Sequence, residues 1–395
     1  MLKTKPRLAV IASHPIQHFV PVYQRLAEHF DVELKVFYIA ENGVADSVDK
    51  GFGVSFSWDI PLLEGYNYLF LHPGKILDQY SFSSLDCVSI NQHMNEFSAD
   101  AIWIHGYAAK VNWRTILGQS HKRSIIYSSD SNLLTKRIWV TQIFKQIAVR
   151  FFFSKCSMLI AISERNELYL KHYGVPTKKI KRSCFPVDIQ RLSKQHKQLS
   201  VSNKNQIRYD NGIAQDAFVL LFSGKLVDYK GVLDLVRARA LLAEKDIVIL
   251  FMGDGELHNE ILQLAKALGI SNKVSISGFI NQSQIAHYMF ASDVLVLPSI
   301  KEPFGAVISE ALPFGLPIIA SNNVGAVGKT DSAQPNKNAL VYQSGNIKEL
   351  ASAIKKLYQD QDLYKHFSEH SKAIAMQHDV DVYCQTMVHC LKTAI

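Results

Sequence analysis

At 395 residues the chain exceeds the usual size of one hydrophobic core, so two domains are expected. Hydrophobic residues make up 48% and charged residues 20%, which excludes a disordered or fibrous protein. The net charge of +8 lies in the first half: residues 1–200 carry 25 Lys and Arg against 16 Asp and Glu, whereas residues 201–395 carry 18 against 19. We therefore expect the first half to meet an anionic partner, and the absence of any nucleic-acid-binding motif disfavours DNA or RNA.

No apolar signal region opens the sequence, and no run of about eighteen apolar residues appears, so we expect a cytoplasmic protein without a membrane span. Its basic first half is compatible with peripheral contact with the inner membrane face. Scattered cysteines without a CxxC pair predict free thiols, not disulfides or a zinc ribbon. These five are Cys87, Cys156, Cys184, Cys384 and Cys390.

Short apolar runs alternate with amphipathic stretches of helix length, a pattern typical of βαβ units around a parallel sheet. The strands predicted in the first half are 8–12, 32–39, 68–71, 101–104, 124–127 and 158–162. Residues 135–155 mix basic and apolar side chains and allow two interpretations. They form either a crossover helix or a basic amphipathic helix that rests on anionic lipid, and both can hold at once.

The polar segment 194–216 shows little apolar periodicity and predicts a linker with a surface excursion. After it the strand pattern resumes at 218–222, 247–252, 274–276, 294–297, 318–320 and 340–342. The tail is helical in pattern, and its last segment is expected to pack back on the first domain. The predicted organisation is thus an N-terminal domain (1–193), a linker (194–216), a C-terminal domain (217–375) and a returning helix (376–395).

The strongest motif, residues 301–310, follows a predicted strand and then becomes helical. This order places it at the carboxyl end of a sheet strand, where open α/β sheets bind ligands. The helix start offers the backbone N–H groups of Gly305, Ala306 and Val307 to an anion such as a diphosphate. Glu302 lies in the loop and Glu310 about two turns into the helix, so these carboxylates are expected to accept hydrogen bonds from sugar and ribose hydroxyls.

A second motif, residues 222–231, ends a strand in a glycine turn that carries two lysines. Lys225 and Lys230 could neutralise the charge of a leaving diphosphate, a task otherwise performed by a metal ion or an arginine clamp. A strand followed by Gly-Lys is by itself a weak indication of a phosphate-binding site, but together with the acidic loop it is informative.

In these motifs the sequence resembles the GT-B glycosyltransferases of family 4, the retaining "group 1" type. Glu302 and Glu310 match the family's Glu-x7-Glu element, and Gly224, Lys225 and Lys230 match its glycine-lysine turn. The resemblance implies an α/β GT-B fold, in which two Rossmann-like domains face each other across a cleft. It covers nearly the whole second half and is thinner in the first.

The resemblance also implies residue roles. Lys225, Lys230, Glu302 and His105 would be catalytic. The donor site would comprise Gly224, Lys225, Lys230, Gly253, Phe279, Ile280, Glu302, Phe304, Gly305, Ala306, Val307 and Glu310. For His105, which follows the strand 101–104, a near-core imidazole without a catalytic role is nearly as compatible with the sequence.

Two departures from the family pattern stand out. After the first strand the family carries a Gly-Gly loop, whereas this chain has His14, Gln17 and His18 there. These side chains either contact an acceptor or are exposed in a turn. The family's later Gly-Gly-x-x-Glu turn is replaced by residues 323–330, which lack the acid, so donor contacts from that turn are in question.

The implied activity is metal-independent, retaining transfer of a hexosyl group from a UDP- or GDP-sugar to a glycan or lipid-linked acceptor, in cell-surface polysaccharide or glycolipid biosynthesis. No cofactor or metal is expected, because the two Asp-x-Asp pairs lie in the helical tail and no third ligand accompanies His366 and His370. Two alternatives remain open: a nucleotide-sugar epimerase of the same fold, and a non-catalytic nucleotide-sugar-binding protein.

Overall fold

A computed structural model of the chain describes residues 5–44, 47–49, 54–134 and 139–395. The chain divides into two compact units. The first contains the described residues up to Ser47, those from Ser55 to Val187, and Val380–Ile395. The second contains the described residues of Val48–Val54 and Asp188–Asp379.

The first unit is built around a parallel seven-stranded sheet. The strands up to residue 187 are β1 (Arg7–Ala12), β2 (Glu33–Tyr38), β3 (Ser47–Asp49), β4 (Val54–Phe56), β5 (Asn67–Phe70), β6 (Ala101–His105), β7 (Ser124–Ser129), β8 (Met158–Ala161) and β9 (Ile180–Arg182). The helices are α1 (Val20–His29), α2 (Ile90–Glu96), α3 (Lys110–Gln119), α4 (Trp139–Ser154) and α5 (Glu164–His172). The sheet order is β5-β2-β1-β6-β7-β8-β9, and β3 pairs with β4 separately.

The second unit holds a parallel six-stranded sheet of order β12-β11-β10-β13-β14-β15. Its strands are β10 (Phe218–Ser223), β11 (Ile247–Met252), β12 (Val274–Ile276), β13 (Val294–Leu297), β14 (Ile318–Ser321) and β15 (Ala339–Tyr342). Its helices are α6 (Ile189–Gln198), α7 (Val201–Asp210), α8 (Val232–Ala240), α9 (His258–Ala267), α10 (Ile285–Ala291), α11 (Ala306–Ala311), α12 (Ile347–Gln359) and α13 (Gln361–Ala375). One more helix, α14 (Val380–Ala394), belongs to the first unit.

All twelve predicted strands are present, with ends that differ from the prediction by two residues at most. Helices cover both faces of such a sheet, so its central strands are buried on both sides and their sequences read as continuous apolar runs. β11 shows this directly, since all of its residues are buried. The short strand β9 and the pair β3 and β4 were not predicted, because three residues carry too little periodicity to be recognised.

In both sheets the strand order reverses beside the first strand of the unit. β1 lies between β2 and β6, and β10 lies between β11 and β13. Open α/β sheets bind ligands outside the carboxyl ends of the strands at such a reversal. A ligand-binding site in the second unit is therefore expected at the loops after β10 and β13.

The segment predicted as a linker, 194–216, is not a linker in the structure. It contains the end of α6 and the whole of α7, and both helices belong to the second unit. Arg208 on α7 is almost fully buried and donates to the carbonyl oxygens of Ala291, Gln215 and Ala217 and to Asp293. The prediction was wrong because a buried arginine satisfied by carbonyl groups looks, in sequence, like a surface residue.

The predicted return of the C-terminal helix is confirmed, since α14 packs against α1, β7, β8 and β9. An ion pair of 3.5 Å joins Arg25 on α1 to Asp381 on α14. The five cysteines are buried as free thiols, as predicted. In the part of the chain that the structure describes, the helices lack the combined length and apolarity that crossing a bilayer requires.

Candidate functional site

Two loops at the strand reversal of the second unit carry the predicted charged residues. The loop after β10 contains Gly224 and Lys225 and then a 3₁₀ turn, Asp228–Lys230, before α8 begins. The loop after β13 contains Glu302 and leads through Gly305 into α11. Lys225 and Lys230 are half-buried, whereas Glu302 is buried. The sheet order makes these loops neighbours, although some seventy residues separate them in sequence.

An ion pair joins the two loops, because the ammonium group of Lys230 donates a hydrogen bond to Oε2 of Glu302. The side chains of Lys230 and Glu302 are only 17% and 9% exposed, so water screens the pair weakly. The hydroxyl of Ser299 donates a second hydrogen bond to the same carboxylate oxygen, at 3.3 Å. A positive charge and a negative charge are thus fixed at the carboxyl edge of the sheet.

Backbone contacts hold the same two loops together. The amides of Ile300 and Lys301 both donate to the carbonyl of Tyr229, at 2.9 and 3.1 Å. Gly231 adopts a left-handed conformation with φ of 68°, and a Cβ there would lie 2.2 Å from the carbonyl oxygen of Pro298. Only glycine fits both restrictions, which explains the Lys-Gly pair in the sequence.

The loops after β11 and β12 extend this edge. A Cβ on Gly253 would lie 1.9 Å from the carbonyl oxygen of Gly224, so the loops after β10 and β11 touch through their glycines. Gly253 also forms an antiparallel bridge with Gly278, the residue that precedes Phe279 and Ile280. Phe279 and Ile280 are half-buried beside this bridge. The structure therefore brings Phe279 and Ile280 close to the loop that carries Gly224, as predicted donor-site residues.

Glu310 is buried on α11. Burial raises the pKa of the Glu310 carboxyl to about 7, although the charge of Arg191 acts to lower it. α11 begins after Gly305 as predicted, and its first-turn amides at Ala306 and Val307 have no partner within the helix. Phe304, which precedes Gly305, is buried.

Arg191 is a residue of this region that the sequence did not reveal. It lies on α6 and donates to the backbone oxygen and to Oε1 of Gln282, at 3.4 and 3.1 Å. Gln282 follows Phe279 and Ile280 by a few residues and is buried. Arg191 therefore links the segment that follows Phe279 and Ile280 electrostatically to Glu310. One sequence feature could have indicated the helix that carries Arg191: Asp188 is a typical helix N-cap residue. Its side chain caps α6 by accepting a hydrogen bond from the amide of Arg191 at 2.9 Å.

The turn at 323–330 braces the acidic loop. The amide of Gly325 donates to the carbonyl of Glu302 at 3.1 Å, and the side-chain amide of Asn323 donates to the carbonyl of Ile300 at 2.9 Å. A Cβ on Gly325 would lie 1.8 Å from the carbonyl oxygen of Pro303. This turn fixes the backbone on which Glu302 is presented.

In the first unit, His105 ends β6 and has hydrogen-bond partners at both ring nitrogens. Nε2 lies 3.0 Å from the hydroxyl of Tyr23, and Nδ1 lies 3.5 Å from the hydroxyl of Ser128. The rings of Phe19 and Trp103 pack on the imidazole with centroids 4.4 and 4.5 Å away. Burial lowers the pKa of His105 to about 3, so the imidazole is neutral near pH 7.

The loop after β1 holds the other predicted side chains of the first unit, all half-buried. Nδ1 of His14 lies 2.9 Å from the hydroxyl of Ser13, and its ring lies 4.9 Å from that of Tyr80. Burial lowers the pKa of His14 to about 4. The ring of His18 packs edge-on against Phe185. The interpretation of this loop as a turn with exposed imidazoles is therefore wrong, and the acceptor role of His14, Gln17 and His18 stays a prediction.

Among the described residues, no group of three or more His, Cys, Asp or Glu side chains is arranged to hold a metal ion. The charges that converge in the second unit come from lysine and carboxylate side chains.

Residues 203–374 match the family model for glycosyl transferases group 1. This range contains every predicted donor-site residue. The chain is 33% identical over 125 residues to the uncharacterized glycosyltransferase MJ1607 of Methanocaldococcus jannaschii, covering 31% of this chain and 32% of that protein. It is 30% identical over 168 residues to N-acetyl-alpha-D-glucosaminyl L-malate synthase of Bacillus anthracis, covering 42% and 43%. The aligned parts thus span less than half of either relative.

The crystal structure of Anabaena Alr3699/HepE in complex with UDP is similar over nearly the whole chain. It matches with a TM-score of 0.74 and 20% identity, covering 98% of this chain and 100% of that one. Together with the two parallel sheets, this likeness confirms the predicted two-domain α/β GT-B fold.

Proposed function

We propose that this chain, whose residues 203–374 form a group 1 glycosyl transferase domain, is a retaining glycosyltransferase of family 4. It moves a hexosyl group from a nucleotide-diphosphate sugar to a glycan or lipid-linked acceptor, in cell-surface polysaccharide or glycolipid biosynthesis, and it needs no metal. The observation that carries the proposal is the Lys230–Glu302 pair, which joins the loops after β10 and β13 at the strand reversal.

The donor site follows from the charges in these loops. A nucleotide diphosphate needs positive charge and amide donors for its phosphates, and hydroxyl-binding carboxylates for its ribose and sugar. Lys225 and Lys230 supply the positive charge, the start of α11 supplies amides, and Glu302 and Glu310 supply the carboxylates. The similar Anabaena protein was solved with UDP, which favours a uridine donor over a guanosine donor.

The chemistry assigned to these residues is electrostatic. When the bond between the anomeric carbon and the diphosphate breaks, negative charge develops on the leaving phosphate oxygen. Ammonium groups held in a weakly hydrated site stabilise this charge in the transition state, the role that a metal ion plays elsewhere. The leaving oxygen then takes the proton of the acceptor hydroxyl, which attacks from the same face and so retains the anomeric configuration.

Glu302 has two parts in this scheme. Without donor it neutralises Lys230 and so prevents a buried, uncompensated charge. With donor bound, the diphosphate provides the negative charge that Lys230 faces, and the carboxylate becomes available to sugar hydroxyls. The hydrogen bond from Ser299 keeps the carboxylate oriented during that exchange.

The basic first half fits an anionic acceptor such as a polyisoprenyl diphosphate or another charged glycolipid. We therefore place the enzyme in the cytoplasm, in peripheral contact with the inner membrane face. Acceptor contacts from His14, Gln17 and His18, and a sugar contact from His105, form part of the proposal. The pKa of His105 lies far below neutrality, so its role is hydrogen bonding rather than proton transfer.

The test is a screen of the purified chain against UDP-, GDP-, ADP- and CMP-sugars, with and without EDTA, by thermal shift and donor hydrolysis. One donor should stabilise the wild type and be hydrolysed slowly in EDTA. Lys230→Ala and Glu310→Ala should lose both responses relative to their own ligand-free baselines, whereas Lys266→Ala, at an exposed position of α9, should keep them.

The same screen separates the alternatives. Conversion of the donor to an isomer without any acceptor would identify an epimerase. Binding without hydrolysis or transfer to any acceptor extract would identify a non-catalytic binding protein. Binding that disappears in EDTA would refute metal independence, and the absence of binding by all four donors would refute the proposal.

A further inference from the structure

Helix α4 carries apolar side chains on a face that points into solvent. Phe144 is 73% exposed, Ile147 is 65% exposed and Phe151 is 42% exposed. Their spacing of three and four residues places them in one stripe along the helix. Isolated exposed apolar residues are ordinary on protein surfaces, whereas contiguous exposed apolar patches are typical of interaction sites.

The opposite face of α4 is fixed to the first unit, so the stripe cannot turn inward. Residues on that face are buried in the hydrophobic core: Val149, Phe152 and Phe153. The ammonium group of Lys145 lies over three tyrosine rings, with distances to the centroids of 5.4 to 5.7 Å: Tyr107, Tyr169 and Tyr173. These contacts hold the helix in one rotation about its axis and keep the stripe exposed.

Exposed basic residues accompany the stripe near the end of the helix. Between Asp130 and Glu164 the sequence contains no acidic residue but five basic ones: Lys136, Arg137, Lys145, Arg150 and Lys155. Lys136 and Arg137 lie outside the described residues, whereas Arg150 and Lys155 are exposed. The Lys155 ammonium group lies 5.4 Å from the centroid of the Phe151 ring, so charge and apolar surface adjoin directly.

We propose that the stripe of Phe144, Ile147 and Phe151 docks the chain on an anionic lipid bilayer. The inference rests on the proposed function, because it assigns the membrane contact of that enzyme to one element. The apolar side chains would enter the boundary between headgroups and acyl chains, while Arg150 and Lys155 would contact headgroup phosphates. Charge complementarity favours lipid over protein as the partner, since a segment with basic but no acidic residues matches a uniformly anionic surface, and lysine is depleted in protein interfaces.

The experiment is flotation of the purified full-length chain with vesicles of phosphatidylcholine alone or mixed with phosphatidylglycerol, at low and high salt. The wild type should float with the anionic vesicles and release at high salt. Phe144→Gln with Ile147→Gln should lower the bound fraction about tenfold, because the apolar part of the binding is lost. The matched control is Val201→Gln with Leu262→Gln, two exposed apolar positions of the second unit, which should float as the wild type does.

Three results would overturn the inference. They are equal flotation of the α4 variant and the wild type, equal binding to neutral vesicles, and a change of oligomeric state in the α4 variant, which would make the stripe an interface between copies. Thermal shifts with nucleotide sugar, measured on the same samples, keep the two proposals separate. Loss of flotation with an intact donor shift concerns the lipid contact alone. Flotation without any donor shift refutes the proposed enzyme and leaves the docking surface standing.

Discussion

Replacing Gly231 with alanine tests whether the contact between the loops after β10 and β13 builds the proposed donor site. The backbone at Gly231 has φ of 68°, and a Cβ there would lie 2.2 Å from the carbonyl oxygen of Pro298. The matched control is Gly269→Ala, because Gly269 has φ of 70° and nothing lies within 4 Å of its Cβ position. Both variants carry the same backbone strain, but only one carries the clash.

The strain of a left-handed alanine costs about 1–2 kcal/mol in either variant. Relieving the clash at Gly231 requires a separation of about 1 Å between the loops, an overpacking change that typically costs a further 1–3 kcal/mol. That movement also shifts Lys230 relative to Glu302. Misplacement of a catalytic group by about 1 Å can lower the rate by about 100-fold.

The assays are urea denaturation for stability and initial-rate kinetics with the donor identified by the screen. Gly269→Ala should lose about 1–2 kcal/mol of stability and keep its kcat/KM. Gly231→Ala should lose roughly twice as much stability and about 10- to 100-fold in kcat/KM. Equal stability loss and equal kcat/KM in the two variants would refute the idea that this contact positions the site.

Lys230→Met leaves the buried Glu302 carboxylate without its charged partner and should lower the free energy of unfolding, measured by urea denaturation, by about 3–5 kcal/mol. Adding Glu302→Leu should restore part of that loss, and a double variant no more stable than Lys230→Met would contradict a coupled pair. For Glu310, burial raises the pKa to about 7, so the native state binds an extra proton and stability falls as the pH rises toward 7. Glu310→Gln should therefore be more stable than the wild type above pH 7, by at most about 3 kcal/mol, and lose any pH dependence of donor binding near 7; parallel pH–stability curves would be inconsistent with this. Because the pKa of His105 is lowered to about 3, kcat/KM should show no titration from this residue between pH 5 and 9, and an NMR pKa near 6.5 would exclude the neutral state.

The sequence alone was sufficient for twelve of the thirteen strands in the two large sheets and for the positions of the charged loops. Strands covered on both faces must be apolar throughout, so an apolar run such as residues 247–252 can be recognised as a buried strand. Glycine is needed where two backbones meet, so Gly224, Gly231 and Gly253 mark the turns at the carboxyl edge. Glu302 and Glu310 could be assigned to this edge because each follows a recognisable strand.

Only the tertiary structure decided which groups pair and which are buried. Lys230 meets Glu302 because the sheet order makes β10 and β13 neighbours, and that order is set by long-range packing. In sequence, Arg208 looks like a surface residue of a polar linker and Arg191 like an exposed helix residue; the structure gives them Asp293 and Gln282 as partners. The same holds for His105, since an imidazole after a strand has an ordinary pKa in sequence, and only the surrounding aromatic rings remove the water that would let it ionise.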